Sequence, residues 1–526
     1  MQTEIGQGRR QAILVLLALT GLVVVMDLTI QNVALETIQR ELHASSAGLE
    51  WSMDSYLITF AAFIFTGGVS ADRFGRKKTL LAGLILFGAS SALAASSTSI
   101  GELILWRSLM GVGAALVPSV SLAILINVFP PAERPRAIGW WAGAAGIALA
   151  VGPVIGGMLL EVLWWGSVFL VNAPVILAAV ALIIWLVPES RNPNNNSFDP
   201  LGVLISVLAV GTLVYGIVRG GDHDDWLSLA TAGPIVLGLA LVALLVKVES
   251  RIKHPALDLS FLRSVRYSAG TFALALAFFA VLGAFFITAL YFQGVHGYSP
   301  FTAGMLMLPM GLGSWLMSFR SAKMAARFGA GPVVGGGALA IAVAFAGFSQ
   351  MDKSTGMPLI VLAQVLFGLG WGSMVAPATA ALMSDVPMVK AGAGQAVSQT
   401  VRQVAGALGV AIIGSLLAVS YRSSLGSAID VLPADVRDQA ASSLGATMHA
   451  ITQAGLQPGQ VAALTTRATQ AYLDGMQVTM LTLTAVSLAA AFIAYRWLPG
   501  AAKAAPAAPV APVAVAQPAK GEPART

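Results

Sequence analysis

Residues 11–35 read QAILVLLALTGLVVVMDLTIQNVAL. As a helix, this run is long enough to cross a hydrocarbon core of about 30 Å. Its apolar residues are continuous and do not alternate, which excludes a strand of a closed barrel and leaves a helix that satisfies its own backbone. Asp27 sits deep inside it. A carboxylate at that depth is tolerated only where it faces a protein interior, and it is by default a functional-site candidate; the alternative is a structural polar contact that never titrates. The run is longer than a usual signal-peptide core and lacks a convincing small-residue cleavage site, so it predicts a retained first span.

The rest of the chain extends this reading. Of 526 residues, 57% are hydrophobic and 10% charged, and mean hydropathy is +0.80, too little polar surface for a soluble domain of this size. Fourteen apolar stretches of helical length recur from 11–34 to 475–497, with others at 50–70, 166–187, 302–320 and 398–419, so the expected fold is an all-α integral membrane protein. With both termini cytoplasmic, 22 of the 30 Lys and Arg residues fall on the inner side. That bias fits the positive-inside rule and an even number of spans in a multi-pass cytoplasmic-membrane protein. The net charge of +6 then reports orientation against an anionic leaflet, and no nucleic-acid partner is expected. Without cysteine there are no disulfides or thiolate chemistry.

An internal echo divides the chain. Arg73-Phe74-Gly75 after the second span returns as Arg327-Phe328-Gly329 after the tenth. Repetition at equivalent places marks a transporter built from two related six-helix halves. The expected parts are a half at 1–187, two intercalated helices with linkers at 188–266, and a second half at 267–499. The last contains a long, polar outside loop at 421–474 with short amphipathic helices, and an Ala/Pro-rich, disordered tail follows at 500–526.

Several groups carry candidate chemistry. Burial of Asp27 and Asp54 in apolar surroundings disfavours their charged forms, which makes both candidate proton carriers; for Asp54, near the end of its span, a solvated position is the alternative. Arg107 keeps its charge and would set the field for nearby acids, or else form a structural tie to backbone carbonyls or to Asp54. Gly139, Gly143, Gly146, Ala150, Pro153 and Gly157 recur at steps of three and four, giving one flat face for close helix packing, with Pro153 permitting a bend. In the loop at 67–78, Asp72 and Arg76 lie four apart and can pair if the turn is helical. Asn32, Trp51, Tyr56, Phe60, Phe285, Met310 and Arg402 are candidates for a substrate cavity, although most such aromatic and methionine residues face lipid or core. The five histidines are scattered and no phosphate-binding loop occurs, so neither an enzyme, an ATPase, a metal nor a cofactor is expected.

These motifs together resemble the major facilitator superfamily, and within it the fourteen-helix drug:proton antiporters. Gly68, Asp72, Arg73, Gly75 and Arg76 match the loop signature G-x-x-x-D-R-x-G-R-K. Leu103 to Ala115, with Arg107, resembles the fourth-helix signature. Gly146 to Gly157, including Gly152, Pro153, Gly156 and Gly157, resembles the antiporter signature of the fifth helix. Asp27 to Ile38 resembles D-x-T-x-x-N-x-A-L-P of the first, with Glu36 in place of the proline and Gln31 at a usually apolar position. Trp51 to Tyr56, Phe169 to Pro174 and Gly394 to Gly414 also fit. No Asp or Glu occurs from Leu259 to Met351, so cation selectivity that depends on an acid there does not transfer.

The resemblance implies two six-helix halves plus two intercalated helices, and alternating access. The implied activity is antiport in which protons are exchanged for small amphiphilic, hydrophobic or cationic compounds. Asp27, Asp54 and Arg107 would serve proton coupling, and the glycine face of the fifth helix would seal the inward side and limit proton leak. A dedicated exporter of one endogenous lipid or self-made antibiotic is the alternative.

Overall fold

The computed structural model describes residues 6–130, 133–190, 200–223, 225–249, 259–386, 391–454 and 456–500. Inside helices the side chains of some residues, among them Gly68, Asp72, Gly139, Gly143, Gly146 and Ala150, lie outside the description, as does the expected tail beyond Gly500.

The first bundle contains α1 (Gln7–Glu41), α2 (Ser46–Phe74), α3 (Arg76–Ala94), α4 (Ile100–Val128), α5 (Arg134–Val162), α6 (Ser167–Leu170) and α7 (Asn172–Leu186). Then come α8 (Pro200–His223) and α9 (Leu229–Glu249), which pack on each other. A second bundle holds α10 (Val265–Leu290), α11 (Pro300–Phe328), α12 (Ala330–Phe348), α13 (Met357–Met383), α14 (Ala391–Leu425) and α17 (Pro458–Trp497). Two short helices, α15 (Ala434–Ala440) and α16 (Leu444–Gln453), precede α17. Eleven described segments, one of them α6 and α7 together, are long and apolar enough to cross a membrane. The 29-residue helices α2, α5 and α11 complete the set of membrane-length rods.

Local chemistry sets the ends. Ser45, Ser99, Ser264, Ser299 and Ser443 each cap a helix, their hydroxyls accepting from the backbone N–H three residues on. The sixth span is not continuous as expected: it breaks between α6 and α7 at Val171. Pro174 has no N–H to donate to the carbonyl of Leu170, which explains the break. The 40-residue α17 is also longer than expected. It spans about 60 Å, twice a hydrocarbon core, and its first seventeen residues occupy part of the segment expected as loop.

Packing repeats from one bundle to the other. In the first, α1 packs on α5, α2 and α3 on α4, and α7 on α1 and α3. In the second, α10 packs on α14, α11 and α12 on α13, and α17 on α10 and α12. The bundles meet where α5 packs on α11 and α2 on α14. The first turn of α1 and the last turn of α17 mark one face of the assembly, here the terminal face: Arg9 meets the end of α7 at the Leu186 carbonyl, and Pro499, just past α17, accepts from Gly331.

At the opposite, distal face the bundles are tied together. Gln293 Nε2 donates to the Val33 carbonyl at 3.1 Å, Ser299 Oγ to Glu161 at 2.5 Å, and Ser46 Oγ to the Ser442 carbonyl at 3.0 Å. Backbone approach is close there too: a side chain at Gly157 would collide with Pro300 and Phe301, and one at Gly304 with the Pro153 carbonyl.

Candidate functional site

Arg107 is the key to the buried charge. Gly111, one turn along α4, lies so close to α2 that a Cβ would meet Thr59 and the Tyr56 carbonyl, and Gly113 lies equally close to α3 at Phe87. These contacts draw α4 between its neighbours and deliver Arg107, 2% exposed, to the interior. Its Nη1 donates to Oδ2 of Asp27, which is fully buried, and its Nε donates to the Ser52 carbonyl at 3.1 Å. The guanidinium carbon stands 4.3 Å from the centre of the Tyr56 ring and 5.7 Å from that of Phe169.

Asp27 has a second donor. Asn172, at the break between α6 and α7, gives its Nδ2 to Oδ1 at 2.9 Å and also reaches Ser91 Oγ at 3.1 Å; Ser91 in turn donates to the Phe169 carbonyl at 2.8 Å. Burial of two ions costs several kcal/mol each unless the pair is well completed. Here α1, α2, α3, α4 and the α6–α7 break all contribute to that completion.

Asp54 differs. It lies within α2, wholly buried, and neither carboxylate oxygen has a hydrogen-bond partner among the described residues. A buried carboxylate without donors calls for either a proton or a cationic guest. Between Asp27 and the distal face, Gln31 donates to Ser52 Oγ at 2.6 Å. Asn32 donates to the Leu28 carbonyl of its own helix at 3.1 Å, and its buried Oδ1 has no partner among the described residues.

The other sequence candidates scatter. Tyr56, whose ring faces Arg107, stacks with Phe60 at 6.0 Å. Trp51 instead meets Tyr215 of α8, at 6.4 Å. Phe285 packs on Phe367, which also meets Phe345, in the core of the second bundle; the Met310 backbone presses on Gly368. Arg402, 4% exposed, donates to Gln399 and stands 5.5 Å over the Phe278 ring.

Of the small-residue stripe on α5, the described Pro153 and Gly157 share one partner, α11, at the distal face, while Gly152 and Gly156, outside that stripe, meet another. Gly152 and Gly156 lie against α1 at Thr29 and at Ile30 and Val33, whereas Pro153 and Gly157 lie against α11. In the loop motif, α2 ends at Phe74 and α3 starts at Arg76, so Asp72 and Arg76 do not share a helix. Arg76 donates to the Ala123 carbonyl at 3.3 Å; Arg73 lies 5.3 Å over Phe74. Asn172, Ser91 and Ser52 were not singled out as functional from the sequence. Asn172 lies inside the quoted Phe169–Pro174 stretch, the one signal that could have found it.

Comparison with known proteins gives a coherent result. A model described as Major Facilitator Superfamily matches residues 17–410. The tetracenomycin C resistance and export protein of Streptomyces glaucescens is 32% identical over 93% of this chain and 91% of its own. The multidrug efflux pump LfrA of Mycolicibacterium smegmatis is 32% identical over 91% and 94%. The methyl viologen resistance protein SmvA of Salmonella typhimurium is 30% identical over 88% and 93%. Among solved structures, a bacterial homologue of the human lysosomal transporter Spinster, inward-facing and occupied, aligns with TM-score 0.63 at 18% identity, covering 94% of this chain and 98% of that one. A D-xylose–proton symporter aligns with TM-score 0.58 at 14% identity, covering 93% and 98%.

Proposed function

The chain belongs to the major facilitator superfamily, and from that premise we propose that it is a proton-coupled exporter of hydrophobic, often cationic, drug-like compounds. The observation that carries this reading is the buried Asp27–Arg107–Asn172 cluster in the middle of the first helix bundle. The relatives, with names that specify drug export or resistance, support the cargo class.

In this reading the terminal face is cytoplasmic and the distal face is outside. The halves 1–187 and 267–499 rock about a midplane cavity, with 188–266 between them. A proton from outside reaches Asp27, and Asp54 with it, and substrate displaces it when the cavity faces inward. A membrane potential of about 150 mV supplies about 3.5 kcal/mol per proton, enough for roughly a 300-fold gradient of a neutral substrate. Pro153, Gly157 and Gly304 make the tight α5–α11 seam that holds the outside shut.

The test is substrate-induced proton movement in liposomes containing the purified protein, across a panel of cationic and neutral amphiphiles. Exchange that persists unchanged in Asp27→Asn removes Asp27 from the mechanism. A second reading, export of one dedicated compound, is favoured by the single compound in the name of the tetracenomycin C exporter. Response to one member of the panel supports dedication, and response to many supports breadth.

A further inference from the structure

The two bundles balance the charge at their terminal turns differently. In the first, the carboxylate of Glu189 accepts from the N–H of Lys77 at 3.1 Å, and the next residue, Ser190, accepts from Arg76. In the second, the Pro499 carbonyl takes the place of Ser190 by accepting from Gly331, and the residue ahead of it is Leu498. The acid has no counterpart there. Nor do α11, α12 and α13 contain any Asp or Glu.

Yet α11 carries Arg320, Lys323 and Arg327 near its terminal end, all exposed, at steps of three and four that put them on one stripe. Among the described residues none of them pairs with an acid: Asp385, which follows α13, is engaged by Arg266 at 3.6 Å and by the Ser264 hydroxyl at 2.6 Å. Leu312, Leu316 and Phe319 continue the stripe toward the middle of the helix in the same steps, and they are exposed too, as lipid-facing residues are. With 29 residues α11 is about 43 Å long, so its charged end projects beyond a hydrocarbon core of about 30 Å into the headgroup layer.

Beside this stripe α11, α12 and α13 leave an open-sided groove of about 290 Å3, lined by Met317, Met324, Phe328, Val333, Leu366 and Leu369. Met317 and Met324 precede Arg320 and Arg327 by three residues, which sets the basic stripe along the flank of the groove. From Met317 to Phe328 the helix rises about 16 Å, close to the depth of one leaflet of the core. Methionine walls adapt to a flexible chain.

We propose that this groove binds an anionic phospholipid of the leaflet at the terminal face, its phosphate among Arg320, Lys323 and Arg327 and one acyl chain along Met317 and Met324. The lipid brings to the second turn the negative charge that Glu189 brings to the first. Guanidinium groups hold phosphate through charge-assisted hydrogen bonds, and a lipid of net negative charge adds no cation of its own to the three already present.

The chain has no cysteine, so a fluorophore is attached at Leu316→Cys, one turn from Arg320, and for reference at Leu208→Cys on α8. Both positions are exposed, and residues 200–218 of α8 carry no Lys or Arg. The full-length protein is placed in phosphatidylcholine vesicles, and quenching by phosphatidylglycerol or phosphatidylcholine with brominated chains gives their relative binding at each position. At Leu316→Cys phosphatidylglycerol is expected to bind about tenfold more tightly, the order set by a few basic groups at a membrane surface. At Leu208→Cys the two lipids should bind alike. Glutamine at all three basic positions should abolish the preference. A Cβ at Gly336, which lines the groove, meets only the Tyr495 hydroxyl at 3.8 Å, so Gly336→Leu fits α12 and should lower the preference severalfold with every charge in place. Inorganic phosphate at millimolar concentration should leave quenching unchanged, since the chain also holds the lipid.

Equal binding of the two lipids at Leu316→Cys, the same preference at Leu208→Cys, a preference that survives loss of the three basic groups, or its removal by inorganic phosphate overturns the proposal. An unaltered preference in Gly336→Leu does so too, because charge alone would then be attracting the lipid. None of these outcomes depends on proton exchange, so the lipid site stands or falls apart from the exporter reading.

Discussion

Gly75 and Gly329 occupy the same place in the two bundles. Each follows Arg-Phe, each ends a 29-residue helix, and each has positive φ, 109° and 90°. Beside each, the following helix is met by the chain leaving the sixth rod of its bundle: the N–H of Arg76 donates to the Ser190 carbonyl at 2.8 Å, and that of Gly331 to the Pro499 carbonyl at 2.9 Å. The three-residue echo in the sequence is therefore a repeated device, a glycine stop that turns one helix into the next.

Alanine at either glycine is expected to destabilise the protein by about 1–3 kcal/mol, because an L side chain rarely adopts that backbone conformation. Gly75→Ala should cost more, since its Cβ would also meet the Glu189 carboxylate. Thermal unfolding in detergent checks this, and Gly75→Ala in a Glu189→Ala background should recover the excess. Equal losses in all three would show that Glu189 gives way freely.

Asp27 and Asp54 are both buried acids with different surroundings, so their amides should behave differently. Asp27→Asn leaves Arg107 buried without its anion and is expected to cost about 3–5 kcal/mol. Asp54→Asn removes no described hydrogen bond, and its change in stability should stay below about 1 kcal/mol. Both should lose proton-coupled efflux. Unfolding midpoints paired with liposome flux separate the two effects, and a stability loss at Asp54 as large as at Asp27 would contradict the assigned surroundings.

Asn172→Ala removes the donor to Asp27 Oδ1, a bond to a charged group worth about 1.5–3 kcal/mol. Proton binding at Asp27 is then less opposed. The pH of half-maximal substrate-driven proton release should rise, by about one unit for each 1.4 kcal/mol. An unchanged pH profile with reduced activity would make Asn172 a packing residue only.

The α5–α11 seam admits no side chains at Gly157 and Gly304. Leucine at either position should wedge the distal face apart and raise passive proton leak in substrate-free liposomes. A tight membrane in both variants would mean that the seal lies elsewhere.

Much of this protein was legible in its sequence. Hydrocarbon demands long unbroken apolar helices, and ionisable groups are rare enough inside them that Asp27 and Arg107 stand out by type alone. Asn172, Ser91 and Ser52 do not stand out, because neutral polar residues are common in helices and their role depends on what they face. Residues 458–474 at the start of α17 suggest a loop from sequence alone, since they are too polar to span a membrane. Beyond the bilayer, however, a polar helix needs only packing, and this one packs on α16.

By itself the sequence determined the membrane class, the rods, the repeated turn and the presence of buried charge, because each follows from residue type along one chain. Only the tertiary structure decided which charges meet: Asp27 with Arg107, and Asp54 with no described partner. Helical periodicity gives each side chain a direction around its own axis. The neighbour it meets is fixed by packing between helices distant in sequence.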